Sequence, residues 1–82
     1  MPRYFFDTHN GGFCRDDVGT DCADFEAARA EAMRALPEIA HYAIPADGDN
    51  QAYSVTVRDE GGRAVYTATL TFAGVRPNGG VP

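Results

Sequence analysis

The sequence predicts an α+β domain of order ββαββ, a four-stranded antiparallel sheet of two hairpins with one helix packed on one face. Three observations predict it. Residues 3–9, 52–59 and 63–72 alternate apolar and polar side chains with a period of two. Glycine pairs at 11–12 and 61–62 follow or separate such segments. From Phe25 onward apolar residues recur every three or four positions. A chain of 82 residues is too short for two cores, so 1–73 form a single domain. The tail, 74–82, has three glycines, two prolines and no apolar period, and is expected to be mobile or to lie on the surface.

The first strand shows Tyr4, Phe6 and Thr8 to one face and Phe5, Asp7 and His9 to the other. Asn10-Gly11-Gly12 can supply the positive backbone dihedrals of a tight turn, so 13–16 should return antiparallel. A three-residue loop pairs Thr8 with Cys14 inward and Asp7 with Arg15 outward as an ion pair, which satisfies both faces. A two-residue Asn-Gly turn would set Cys14 against Asp7, a poorer match.

Asp24 is the natural cap of the helix, because its carboxylate can accept amide hydrogens of the first turn, and Glu26 suits the positive end of the helix dipole. Phe25, Ala28, Ala32, Leu36 and Ile39 form the core stripe, with Met33 and Ala35 flanking it. Glu26 with Arg29 and Glu31 with Arg34 are solvated pairs one turn apart. Pro37 lacks the amide hydrogen that the preceding turn needs, so a break is expected near Leu36, with a second short turn over 39–43. Residues 45–50 read as a polar connection.

The third strand alternates Tyr53, Val55 and Val57 with Ser54, Thr56 and Arg58; the fourth alternates Tyr66, Ala68, Leu70 and Phe72 with Val65, Thr67, Thr69 and Thr71. Their register stays open. A glycine-bulge turn sets Val57 opposite Val65, and a further bulge would bring it opposite Tyr66. A helix of about 12 residues is about 18 Å long and strands of about six residues span about 20 Å, so one helix matches one sheet. The uncovered face then carries Phe5, Asp7, His9, Arg15, Arg58, Thr67 and Thr69, the candidate interaction face, which can stay in water or pair with a second subunit.

Composition excludes more than it assigns. Seven arginines, no lysine and twelve carboxylates give 7 − 12 = −5, and the arginines are scattered among acids. Without a basic stripe, nucleic-acid binding is disfavoured, and an acidic surface without a basic amphipathic helix disfavours membranes. No leader or membrane-spanning segment is read in the sequence, so a cytoplasmic location is expected, where Cys14 and Cys22 should serve as small buried hydrophobes, not as a disulfide. His9, Asp7 and Cys14 contain metal-ligand and nucleophile types, but alternation sends His9 and Cys14 to opposite faces. The carboxylates at 16, 17, 21 and 24 and at 47 and 49 fit turns and caps better than a calcium loop, whose pattern from Asp47 would need glycine at Ala52 and glutamate at Arg58. Ser54, the sole serine, lies in a strand, and neither glycine pair leads from a strand into a helix. No catalytic group, cofactor or metal ligand is therefore assigned.

The segments "MPRYFFDTHNGG", "RDDVGTD" and "DFEAARAEAMRAL", in that order, followed more weakly by "VTVRDEGGR" and "LTF", resemble a family of short bacterial proteins, the domain-of-unknown-function family numbered 6894. The resemblance implies a fold and no activity. In that family a histidine often stands at position 7 and the helix usually continues through position 37. In shape alone the architecture is similar to the sheet-and-helix unit of antitoxins that pair with small messenger-cleaving toxins.

The functional expectation is a non-catalytic module that self-associates as a homodimer or docks on another protein. An antitoxin-like neutraliser of a small basic partner is the first alternative, and a metal or small-ligand binder the second.

Overall fold

In the computed structural model, which describes residues 1–77, five strands and one helix follow in the order β1 (Arg3–His9), β2 (Phe13–Cys14), β3 (Thr20–Asp21), α1 (Phe25–Asp47), β4 (Asn50–Arg58) and β5 (Ala64–Ala73). The expectation for the tail concerns 74–82, of which 78–82 lie outside the described residues. The sheet is antiparallel with order β2-β1-β4-β5, and β3 also pairs with β1. The two hairpins thus join through their long inner strands, Asp7 facing Thr56 and Thr8 facing Val55.

The expected first turn is present, with Thr8 opposite Cys14 and His9 opposite Phe13. The return strand over 13–16 is not continuous. It stops at Cys14, the Asp16 carboxylate taking the Phe6 amide hydrogen at 3.0 Å, and β1 is paired on that side again only by β3, where Tyr4 faces Thr20 and Arg3 faces Asp21. The outward Asp7–Arg15 pair is also overturned: Arg15 lies beyond the short ladder and meets Asp17 at 3.2 Å, while Asp7 is taken by Arg58. In the second hairpin Val57 faces Tyr66 and Arg58 faces Ala64, so the register is reconciled by a bulge that leaves Val65 as the extra residue.

The helix is the largest correction. It runs without a break from Phe25 to Asp47, through Pro37 and Pro45, and ends on Gly48, whose amide hydrogen bonds to the Ile44 carbonyl and whose φ of +99° suits glycine. Its start matches expectation, the Asp24 carboxylate accepting the Ala27 amide hydrogen at 2.9 Å. Proline inside a helix costs about 3 kcal/mol. Past Pro37, however, Ala40 is buried and Ile39, Ala43 and Ile44 pack against the core, an apolar gain of the same order.

Tyr53, Val55 and Val57 of β4 are fully buried beneath Ala28, Ala32, Leu36 and Ala40. Alanines let the helix approach the bulky central strand closely, which is why they face it. The helix lies over β4 and β5. Two expectations therefore change: Met33, expected to flank the core stripe, is 49% exposed, and Phe25, expected within it, stands at the helix edge, packed edge-on to Tyr66 at 6.0 Å. Cys14 is exposed for the same reason, since β2 lies far from the helix, whereas Cys22 is buried as expected; both are free thiols. No helix among the described residues is long and apolar enough to cross a membrane.

Candidate functional site

The sheet face away from the helix divides into a locked end and an open edge. At the locked end, Asp7 of β1 and Arg58 of β4 stand one diagonal step apart, because Arg58 faces Phe5 and Asp7 faces Thr56. Arg58 Nε donates to Asp7 Oδ2 at 2.7 Å and Nη2 donates to Oδ1 at 3.1 Å, a two-pronged contact. Both side chains are covered, Asp7 7% and Arg58 13% exposed.

The cover is the 15–19 loop. Its Asp16 amide hydrogen bonds to Asp7 Oδ1 at 2.9 Å, and its carbonyl accepts from Arg58 Nη2 at 2.9 Å. The Asp16 carboxylate takes the amide hydrogens of Phe6, Val18 and Gly19, each at 3.0 Å. Beneath the loop, the Arg58 guanidinium lies over the Phe5 ring at 5.1 Å. Gly19 is required here: its φ is +79°, and a Cβ would come within 2.8 Å of Arg3 Cγ and 2.9 Å of Phe5 Cε1.

Electrostatics follow from these contacts. The Arg58 hydrogen bonds, aided by the Asp16 amide, outweigh burial and hold the Asp7 carboxyl below its usual value. Burial of Asp16 acts in the opposite sense but is overcome by its three amide donors, so Asp16 is also lowered. Arg58 is raised by Asp7. Groups held charged and fully engaged in this way brace the fold and are poorly suited to proton transfer. An open cleft of about 340 Å³ adjoins them, bordered by Arg15, Asp17, Asp59 and Glu60. It mixes both signs, and its one aromatic wall is Phe5. Burial, helped by Glu31, Asp21 and Asp24, pushes the Cys22 thiol up, away from the reactive thiolate. Among the described residues no three His, Cys, Asp or Glu side chains are grouped to hold a metal ion.

Of the residues proposed for the interaction face, Phe5, Asp7 and Arg58 come together at the locked end, with Arg15 on the rim. Asp7 and Arg58 are interior there, so they offer no open surface. His9 lies in another row, facing Phe13 on one side and Ser54 on the other, and Ser54 faces Thr69. Thr67 faces Thr56, with their hydroxyls 3.3 Å apart.

Thr67 and Thr69 belong to the open edge. β5 is ten residues long, pairs with β4 alone among the described strands, and contains neither a charged residue nor proline. Tyr66, Ala68, Leu70 and Phe72 on its helix side are only half-buried, and Val65, Thr67, Thr69 and Thr71 are exposed. Sequence reading missed three features: Asp16 as the loop's organiser, Gly19, and the edge position of β5. The first had a signal, since Asp16-Asp17-Val18-Gly19 carries the Asp-first, Gly-fourth pattern of a common turn.

A model of the family described as domain of unknown function DUF6894 matches residues 3–71. No curated protein and no solved structure matches the chain.

Proposed function

For this chain, which belongs to the DUF6894 family, we propose the role of a cytoplasmic, non-catalytic protein-interaction module that recruits a strand from another polypeptide. The observation that carries the reading is the uncharged edge strand β5. A sheet edge presents a row of unpaired amide and carbonyl groups, and proteins that must stay single usually blunt it with charge, proline or a covering segment. β5 has neither charge nor proline over ten residues. Strand addition is a general mode of recognition in which main-chain hydrogen bonds supply affinity and alternate side chains supply selectivity. The non-catalytic part rests on the engaged state of Asp7, Asp16 and Arg58 and on the depth of Cys22.

A photoreactive amino acid placed at Thr69 in living cells tests the proposal, with the same probe at the exposed Glu38 as the control. The expected outcome is a discrete adduct from position 69, with this protein or with one other. No adduct beyond the Glu38 background contradicts it.

A further inference from the structure

The geometry points to a second copy of this chain as the occupant of the β5 edge, paired antiparallel about a two-fold axis through Thr69. The inference rests on the proposed interaction role and adds the identity and register of the partner. Opposed residues in an antiparallel ladder point to the same face, so a two-fold pairing of β5 with itself must join positions whose numbers share parity. Two centred registers meet that condition.

In the first, Thr69 faces itself, Thr67 faces Thr71, Ala68 faces Leu70 and Tyr66 faces Phe72. In the second, Ala68 faces itself, and Tyr66 faces Leu70. The first register sets small against large and aromatic against aromatic on the helix side, and hydroxyl against hydroxyl on the other, all favourable cross-strand pairs. The second leaves two alanines opposed in the middle of the apolar row. The Thr56–Thr67 contact shows the same hydroxyl pairing already used within one chain.

Three further observations favour a copy of this chain over a foreign strand. β5 carries no formal charge, so two molecules of net charge −5 meet here without local repulsion. Its helix-side row is half-covered, so a symmetry-related row completes a continuous apolar layer beneath two helices. Exposed Met33 lies one turn beyond Arg29, whose guanidinium sits over Tyr66, and so on the flank of α1 turned toward β5. Eight residues, about 12 Å, separate it from Phe25, which abuts Tyr66, placing it level with the middle of the seam. Each copy brings this flexible apolar side chain to the two-fold axis.

The test combines mass with a symmetric cross-link in the full chain. Sedimentation from micromolar to millimolar concentration should show growth from 8.8 kDa toward 2 × 8.8 = 17.6 kDa. In a Cys14→Ser background, Thr69→Cys should form a disulfide-linked dimer on mild oxidation, since opposed residues in a ladder have Cα atoms about 4.5–5.5 Å apart, within disulfide reach. Val65→Cys should not link to itself, and Thr69→Lys should give a folded monomer by circular dichroism. A folded monomer at all concentrations overturns the inference. So does a dimer that Thr69→Cys fails to trap or Thr69→Lys fails to dissociate. If position 69 yields in-cell adducts only with a different protein, this inference falls while the interaction role stands; no adduct at all removes both.

Discussion

Arg58 crosses the sheet diagonally to hold Asp7 with two hydrogen bonds, 2.7 and 3.1 Å, and a third from the same guanidinium pins the Asp16 carbonyl at 2.9 Å. One pair of side chains thus ties β1, β4 and the 15–19 loop together. Asp7→Asn keeps the shape but replaces an ionic acceptor by a neutral amide, and should lower stability by about 1–3 kcal/mol. Urea titration should report this as an earlier midpoint at unchanged slope. An unaltered midpoint would remove the brace from this account.

Acidification should act through the same carboxylates. Asp7 and Asp16 both titrate below the ordinary value of 3.8 in the folded chain. As pH falls through that value the unfolded state takes up protons first, so their stabilisation is whole above it and is lost as pH drops toward the folded-state values. Thermal melts between pH 5 and about 2 should show a steep fall in Tm. The fall should be shallower in Asp7→Asn, and an equal slope in both proteins would contradict the assignment.

Gly19 and Gly12 offer a matched comparison. At Gly19 a methyl group meets positive φ and two side-chain atoms at or below 2.9 Å; at Gly12 nothing lies within 4 Å. Gly19→Ala should cost at least about 1–3 kcal/mol, and Gly12→Ala a few tenths at most. Chemical denaturation of the two variants decides, and equal losses would argue against the tight loop.

Pro37→Ala should raise stability. The substitution restores an amide hydrogen to an unbroken helix and removes ring crowding, a gain of about 3 kcal/mol, offset by about 1 kcal/mol of regained freedom in the unfolded chain. A Tm higher by several degrees is expected for a domain of this size. A lower Tm would mean that the helix needs its proline.

Parts of this fold that depend on near neighbours in the chain are legible in the sequence. Alternation placed Tyr53, Val55 and Val57 inward, and local turn chemistry set Thr8 against Cys14, because both depend on near neighbours in the chain. Pro37 points to a break, since its local cost is visible in the sequence, whereas the burial of Ala40 and the packing of Ala43 and Ile44 that offset it exist only in the fold. Alternation alone puts Arg58 on an exposed face for a similar reason. Its partner lies 51 positions away, and nothing local to "VRDE" announces that β1 and β4 become neighbours. Strand order is likewise a non-local outcome, and with it the open edge of β5. Alternation places the threonines at 67 and 69 away from the helix, but only the order β2-β1-β4-β5 puts them on a boundary strand.

The most direct test of that boundary is residue-resolved amide hydrogen exchange of the full chain at two concentrations, about a hundredfold apart. In β5 every second amide points away from β4. Exchange at high concentration should be slower for that alternate set of amides and little changed in their neighbours, which β4 already protects. Identical exchange rates at both concentrations, or protection that appears on β2 or the 15–19 loop instead, would contradict pairing at the β5 edge.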